Sequence, residues 1–200
     1  AREKITEILN ILSGTKASDD AFYILNSGRY EFKNKGIDLF INALGKLNKS
    51  AELNKEIVAV IAVPANISGI YKELEYRREG KKPIEGHTDL PCTHHIFGYE
   101  YDAVLNSLRE NGLNNNSEDK VKVMFVPSYL NGNDGVFNLK YNDFLYAFDL
   151  TVFPSYYEPW GYTPMESIAH GIPTVTTDLA GFGRYIQDEK FENESVAIVH

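Results

Sequence analysis

Short apolar runs alternate with segments of helical periodicity along the chain, and this pattern is the first feature that predicts structure. Many of the runs are rich in β-branched residues and are closed by proline or glycine, which is typical of buried strands. We predict strands at 22–25, 57–63, 121–126, 150–153, 174–177 and 195–200. Apolar residues recur at helical spacing over 37–47, 70–78, 96–111, 141–147 and 164–170. The alternation predicts an α/β fold, in which a Rossmann-like parallel sheet carries helices on both faces.

The predicted sheet indicates where a ligand would bind, because ligands of such sheets lie beyond the carboxyl ends of the strands. The loops that follow Leu25, Val126, Phe153 and Thr177 are therefore the segments to search for chemistry. The chain ends within an apolar run, so we expect residues 1–200 to form one incomplete domain of this kind.

The loop after the first strand places positive charge next to glycine. Arg29 and Lys35 lie between Gly28 and Gly36, and a predicted helix follows them. Glycine lets backbone N–H groups approach an anion closely, and a helix N-terminus adds partial positive charge. The segment is therefore typical of a cradle for a phosphate or diphosphate, although a solvated basic loop would have the same composition. It lacks the glycine spacing of a Walker loop.

The loop after Phe153 places aromatic residues, prolines and two carboxylates in one turn between a strand and a helix. Thr163 and Glu166 have the spacing of a capping box, which gives Glu166 a structural explanation. Glu158 has no such explanation, and a carboxylate beyond a strand end can accept hydrogen bonds from sugar hydroxyls. The aromatic residues nearby could form a pocket wall, or they could simply pack the loop.

The overall charge and the cysteine content exclude several classes of function. With 28 acidic and 20 basic side chains the net charge is −8, which argues against a general nucleic-acid-binding protein. No apolar run approaches the roughly 20 residues that a membrane helix needs, so we expect no membrane partner. Cys92 is the only cysteine, which excludes an internal disulfide and favours a cytoplasmic protein.

Two features of the sequence bear on a bound metal. His87, Cys92, His94 and His95 are close in sequence, but their spacing fits no usual zinc pattern. No Asp-x-Asp triplet, which could hold a divalent cation beside a diphosphate, occurs in the chain. We therefore expect a metal-independent protein with no cofactor.

Residues 156–164, which read Tyr-Tyr-Glu-Pro-Trp-Gly-Tyr-Thr-Pro, resemble the signature of glycogen synthases of the animal and fungal type. Residues 28–36 and 179–183 are similar to the phosphate loop and to the following glycine-rich turn of the same family. The resemblance extends over 22–183 with one variable stretch, and its central motif is long and specific.

The resemblance implies a retaining hexosyltransferase of the GT-B fold, whose active site lies between two Rossmann-like lobes. This chain would be the C-terminal lobe, which binds the donor, UDP-glucose (favoured) or ADP-glucose. The implied reaction transfers glucose to the nonreducing end of an α-1,4-glucan acceptor with retention at the anomeric carbon. A further partner would be the N-terminal lobe of the same enzyme, so we expect this chain alone to bind a nucleotide without making polymer.

The resemblance also implies roles for individual residues. Positive side chains would contact the donor phosphates and stabilise the departing diphosphate in place of a divalent cation, while a carboxylate would orient the glucose. Tyr141 would stack on the base, which does not distinguish uracil from adenine, and Glu166 would reach the ribose. The implied catalytic residues are Arg29, Lys35 and Glu158, and the implied donor-binding residues are Tyr129, Tyr141, Trp160, Gly161, Tyr162, Thr163 and Glu166.

One residue and one stretch of the sequence depart from the animal and fungal pattern. Asp149 stands where those enzymes carry a histidine linked to glucose-6-phosphate, and an acid there would repel a sugar phosphate. The stretch between Pro64 and Thr93 is much shorter than the helical insertion through which those enzymes form tetramers. We therefore do not expect activation by glucose-6-phosphate, and a homo-oligomer would need a different interface.

Two other functions are compatible with the sequence. A GT-B glycosyltransferase with a different acceptor would share the spacing of Glu158 and Glu166. A non-catalytic nucleotide-sugar-binding module would share the fold, but it would not need the combination of Arg29, Lys35 and Glu158.

Overall fold

The computed structural model describes residues 1–81, 91–191 and 195–200. Its strands are β1 (Phe22–Ser27), β2 (Ile57–Ala62), β3 (Ile67–Ile70), β4 (His94–Ile96), β5 (Val121–Phe125), β6 (Leu150–Val152), β7 (Thr174–Thr177) and β8 (Val196–Val199). Its helices are α1 (Arg2–Ser13), α2 (Ile37–Lys49), α3 (Lys72–Arg78), α4 (Ala103–Glu110), α5 (Tyr141–Leu145), α6 (Tyr162–Ala169) and α7 (Gly181–Asp188). Every predicted strand is present, with its ends shifted by at most a few residues.

The main sheet has six strands in the order β5-β2-β1-β6-β7-β8. All of its pairings are parallel, and between β1 and β2 the register places Phe22 opposite Ile57 and Ser27 opposite Ala62. On one side of β1 lie β2 and then β5. The chain then crosses to the other side of β1, where β6, β7 and β8 follow. Such a reversal opens a crevice at the carboxyl ends of the two central strands, where ligands of α/β sheets bind.

Helices cover both faces of this sheet because alternate strand residues point to opposite sides. Val58 and Val60 pack with α1, α3 and α5 on one face. Ala59 and Ile61 pack with α2 and α4 on the other. The predicted α/β fold with a parallel sheet between helices is therefore confirmed. None of the helices described here is long and apolar enough to cross a membrane.

The segment before α4 differs from the helix predicted over 96–111. Strand β4 and a short 3-10 turn at Tyr99–Tyr101 occupy its first half. Gly98, which has a φ of 69°, separates the two, and α4 begins only after Asp102, whose carboxylate accepts the N–H of Leu105 at 2.9 Å. The apolar residues keep helical spacing on both sides of this N-cap, so their pattern did not show where the helix begins.

The helix predicted over 70–78 is wrong only at its start. Ile70 belongs to β3, which pairs antiparallel with β4, and α3 begins at Lys72. These two strands form a small sheet of their own outside the main sheet.

Candidate functional site

A cavity of about 560 Å³ lies beyond the carboxyl ends of β1, β2 and β5, beside the loop that follows β6. Its position is the crevice where the strand order reverses, and its volume is typical of a small-molecule site. The described residues that line it are Ser27, Gly28, Arg29, Tyr30, Lys35, Ala62, Pro64, Ser128, Tyr129, Leu130, Asn131, Tyr141, Glu158, Tyr162 and Thr163.

The loop after β1 brings two cations to the cavity in different surroundings. The side chain of Arg29 is 74% exposed, and its guanidinium lies 3.1 Å from a carboxylate oxygen of Glu31. The side chain of Lys35 is only 16% exposed. One cation therefore lies at the rim and one within the wall, which suits an anion longer than a single phosphate.

The ammonium group of Lys35 contacts the Oε2 atom of Glu158, whose side chain is 18% exposed. Burial lowers the pKa of Lys35, the charge of Arg29 lowers it further, and Glu31 opposes both effects. The contact with Glu158 also favours the charged ammonium, because an opposite charge stabilises it. The wall thus presents a hydrogen-bond donor for phosphate oxygens next to an acceptor for hydroxyl groups.

The loop after β1, residues 28–36, is called the cation loop below, and it is joined to the loop that follows β6. The N–H of Tyr156 donates to the carbonyl of Asn34 at 2.9 Å. Gly36 has a φ of 64°, and a Cβ atom there would collide with the carbonyl oxygen of Pro154. Both the backbone conformation and the close approach therefore require glycine at this position.

The backbone around Glu158 is held by the first turn of α7. The N–H of Gly181 donates to the carbonyl of Glu158 at 3.0 Å, and the N–H of Phe182 donates to the carbonyl of Trp160 at 2.7 Å. The indole of Trp160 packs on the rings of Phe182 and Tyr185, with centroids 6.0 and 5.8 Å away. Trp160 thus fixes the segment that carries Glu158 from behind the cavity.

Tyr129 and Tyr141 line the cavity with different degrees of exposure. The hydroxyl of Tyr141 lies 2.7 Å from the hydroxyl of Ser27, so the start of α5 is joined to the end of β1. Burial raises the pKa of Tyr141 to about 12, the bond to Ser27 opposes this effect, and the charge of Glu166 adds to it. Tyr129 is 73% exposed. Of these two aromatic rings, that of Tyr141 is therefore fixed and that of Tyr129 is accessible.

The loop that carries Tyr129 is fixed by Asp134. The Asp134 carboxylate accepts the backbone N–H groups of three following residues at 2.7–2.9 Å, and its carbonyl accepts a hydrogen bond from Nε2 of His94 at 2.8 Å. Burial lowers the pKa of His94, which favours the neutral ring. These bonds connect the loop to β4.

Most of the predicted site residues meet at this cavity. Gly161 lies behind Glu158, where an added Cβ atom would come 3.4 Å from the Glu158 Cγ. Glu166 is exposed on α6, one turn from the cavity wall. Among the described residues, those that line the cavity are Arg29, Lys35, Tyr129, Tyr141, Glu158, Tyr162 and Thr163, and those that do not are Trp160, Gly161 and Glu166.

The predicted capping box at α6 is wrong. The helix begins at Tyr162, directly after Gly161, which has a φ of 102°, and no described side chain caps it. Thr163 therefore lies inside the first turn, where its carbonyl accepts the hydroxyl of Ser167 at 3.0 Å. The carboxylate of Glu166 is not bound in a cap.

Sequence reasoning missed the part of the cavity that follows β2, where Ala62 and Pro64 lie. The rule on carboxyl ends of strands would have found it, because the run 57–63 was recognised as a strand. Sequence reasoning also missed Tyr30, since its partners lie far away in the chain.

The cysteine and histidines near residue 92 have separate surroundings in the described structure. Within residues 1–81, 91–191 and 195–200, no group of three or more His, Cys, Asp or Glu side chains could hold a metal ion. Cys92 is buried, and burial raises the pKa of its thiol to about 12. His95 points to solvent beside Phe97 and Tyr99, and His87 lies outside the described residues.

Asp149 takes part in a structural network. Its Oδ1 lies 2.7 Å from the guanidinium of Arg2, and its Oδ2 accepts the N–H of Tyr23 at 2.8 Å. Arg2 also donates to the carbonyl of Ala147 at 2.8 Å. The carboxylate therefore fastens α1 to the start of β1.

Comparison with protein families gives one match over most of the chain. The sequence model of the glycogen synthase family matches residues 14–74 and 85–199. The break between the matched segments falls between Pro64 and Thr93, the stretch in which we expect this chain to be shorter than the animal and fungal enzymes.

Curated relatives give the same assignment. Isoform 2 of glycogen (starch) synthase from Saccharomyces cerevisiae is 34% identical over an alignment 230 residues long, with gaps, that covers 85% of this chain and 33% of that protein. The glycogen (starch) synthase of Caenorhabditis elegans is 33% identical over an alignment of 234 residues, with gaps, that covers 90% of this chain and 35% of that protein. The chain thus spans about a third of the length of these relatives.

Among solved structures, the N-terminal domain of Candida albicans trehalose-6-phosphate phosphatase matches with a TM-score of 0.53 and 12% identity, covering 98% of this chain and 33% of the other. This likeness concerns the fold alone. The family match and the sequence identity to the two synthases carry the assignment, and they show that this chain belongs to the glycogen synthase family.

Proposed function

We propose that this chain is the donor-binding, C-terminal lobe of a GT-B glycogen (starch) synthase. The enzyme would transfer glucose from UDP-glucose, the favoured donor, or from ADP-glucose to the nonreducing end of an α-1,4-glucan with retention. The observation that supports this most strongly is the meeting of Arg29, Lys35 and Glu158 at one cavity, which lies at the strand reversal of the sheet.

The two cations would act on the diphosphate of the donor. Negative charge builds on this group as its bond to the glucose breaks, and cations already in place stabilise that charge without rearrangement. Lys35 would contact the phosphates from the wall and Arg29 from the rim. We propose that these two side chains take the place of a divalent metal.

The other residues would hold the sugar and the nucleoside. Glu158 would accept hydrogen bonds from glucose hydroxyls while Lys35 stays beside it, and Tyr129 and Tyr141 would flank the base. The first N–H groups of α6, at Tyr162 and Thr163, point from a helix N-terminus, which favours a phosphate. Glu166 would reach the ribose. Trp160 and Gly161 would act through the backbone position of Glu158.

The glucan and an N-terminal lobe would complete the active site. Because the chain spans about a third of its relatives' length, we propose that the chain alone binds the nucleotide but makes no polymer. The single cysteine supports a cytoplasmic location.

The proposal is tested by calorimetric titration of the chain with UDP and with ADP in the presence of EDTA. We expect one of the two to bind, and Arg29→Ala to weaken its binding by about tenfold to a hundredfold, the effect of losing a hydrogen bond to a charged group. Arg78→Ala, which removes an exposed arginine from α3, is the matched control. Absence of binding by a folded chain, or equal losses in both variants, would contradict the proposal.

A further inference from the structure

Tyr30 lies in the cation loop, yet its hydroxyl bonds to a distant helix. The hydroxyl donates to Oδ2 of Asp102 at 2.7 Å and accepts the backbone N–H of Val104 at 3.1 Å. The other oxygen of Asp102 caps α4 through Leu105. A single phenol thus joins the loop after β1 to the N-terminus of α4, and its donor and acceptor are both used.

The ring of Tyr30 strengthens this connection. It meets the ring of Phe125 edge to face, with centroids 6.1 Å apart, and Phe125 is completely buried at the end of β5. Burial and the bond to Asp102 raise the pKa of Tyr30 well above its ordinary value. The phenol therefore remains a hydrogen-bond donor at any pH at which the protein is studied.

The rest of the cation loop depends on the position of Tyr30. Arg29 is largely exposed, and its described ionic partner is Glu31 at 3.1 Å, within the same loop. Glu31 in turn accepts the side-chain amide of Asn34 at 2.8 Å and, through its carbonyl, the N–H of Lys35 at 2.9 Å. These bonds are internal to the loop, so they give it a shape without placing it on the sheet.

The loop is attached to the fold on two sides. On the β6 side, Asn34 bonds to Tyr156 and Gly36 packs against Pro154. On the opposite side, next to β2 and β5, it is attached through the bond of Tyr30 to Asp102, the contact of the Tyr30 ring with Phe125 and the N–H of Gly28, which donates to the carbonyl of Ala62 at 3.4 Å. Removing one attachment would let Arg29 move relative to Lys35, which the other attachment still holds.

We propose that Tyr30 is a positioning residue, whose bond to Asp102 sets where the Arg29 side of the cation loop lies along the cavity. The inference rests on the proposed function, because the group to be positioned against is the donor diphosphate. Tyr30 would have no contact with the reacting atoms. Its contribution would appear in the binding of the outer phosphate, while the nucleoside and the inner phosphate would be recognised as before.

The test compares Tyr30→Phe with Tyr101→Phe, which removes a hydroxyl from a tyrosine that is 85% exposed and adjacent to Asp102. Each variant is titrated with UDP and UMP, or with ADP and AMP if adenine is the preferred base. For Tyr30→Phe we expect the ratio of diphosphate to monophosphate affinity to fall by about three- to tenfold, the worth of one hydrogen bond. For Tyr101→Phe we expect no change. A purely structural role for Tyr30 would weaken both ligands equally and leave the ratio unchanged.

A second measurement does not need a ligand. Amide hydrogen exchange in the cation loop, residues 28–36, should become faster in Tyr30→Phe, while β1 and α2 keep their protection. If Tyr30→Phe does not fold, Asp102→Ser is used instead, since the serine hydroxyl can still cap Leu105 but serine has no second oxygen to accept the Tyr30 hydroxyl.

Each result decides something. An unchanged affinity ratio in a variant whose parent binds the diphosphate overturns the positioning role and leaves the proposed function in place. Failure of the parent chain to bind either diphosphate overturns the proposed function, and with it the role of Tyr30 toward a donor.

Discussion

At the scale of single residues, the pair formed by Lys35 and Glu158 dominates the chemistry of the cavity. The two residues are 123 positions apart in the sequence and make contact within its wall. Buried unlike charges are tolerated when they compensate each other. Each of them can take a further partner, because the ammonium has three donors and the carboxylate has a second oxygen. A diphosphate sugar would supply those partners as phosphate oxygens and hydroxyl groups.

Glu158→Gln tests the binding of the glucose separately from the binding of the nucleotide diphosphate. The substitution keeps the shape of the side chain but removes a negative charge beside Lys35, so we expect the affinity for UDP to stay equal or to increase. The affinity for UDP-glucose should fall relative to that for UDP by about tenfold or more, because a charged acceptor for sugar hydroxyls is lost. Calorimetric titration with both ligands measures this difference.

Glu110→Gln, at an exposed position of α4, is the matched control and should leave both affinities unchanged. A parallel loss of UDP and UDP-glucose binding in Glu158→Gln would show that Glu158 does not contact the sugar.

At the scale of elements, the loops at the carboxyl edge of the sheet support one another. The cation loop is bonded to the loop after β6 through Asn34 and Tyr156, and that loop is bonded in turn to α7 through Glu158 and Gly181. The loop after β5 is fixed separately by Asp134. The site is therefore held by contacts between loops, and its geometry depends on positions that do not line the cavity.

Gly36→Ala tests this dependence. A side chain at Gly36 has to adopt a positive φ, which costs roughly 1–2 kcal/mol, and it also collides with the Pro154 carbonyl. We expect the free energy of unfolding to fall by clearly more than this backbone cost, as measured by urea denaturation. Gly112→Ala provides the control, since Gly112 has a φ of 71° and no atom within 4 Å of an added Cβ. Equal losses in the two variants would show that the close approach to Pro154 has no energetic importance.

At the scale of the whole molecule, the strand order explains why the cavity is where it is. The reversal between β1 and β6 leaves a crevice that α-helical crossovers do not fill, and the loops after β1, β2, β5 and β6 all reach it. The net charge of −8 leaves the molecule negative as a whole, so an anionic ligand would be attracted by local cations at this crevice. The strand order and the local positive charge therefore both favour ligand binding at this crevice.

The sequence predicted the fold well because strand signals are local. The run of β-branched residues in β2 and the apolar spacing of α2 depend only on neighbouring residues. The rule that ligands bind beyond the carboxyl ends of the strands brought Arg29, Lys35 and Glu158 together as candidates. Prediction from the sequence failed where a distant partner or a backbone conformation decides the local structure. Gly161 starts α6 before the expected cap, and Tyr30 bonds to Asp102, 72 positions away in the sequence.

Binding of the nucleotide diphosphate of a sugar donor in this cavity can be tested by mapping the binding site by NMR. Backbone ¹H–¹⁵N spectra of the labelled 22.6 kDa chain would be recorded during titration with UDP, and separately with ADP. We expect the largest shifts in residues 28–35, 128–131 and 158–163, and no shifts in α1. Shifts concentrated on another surface, with 28–35 unchanged, would contradict it.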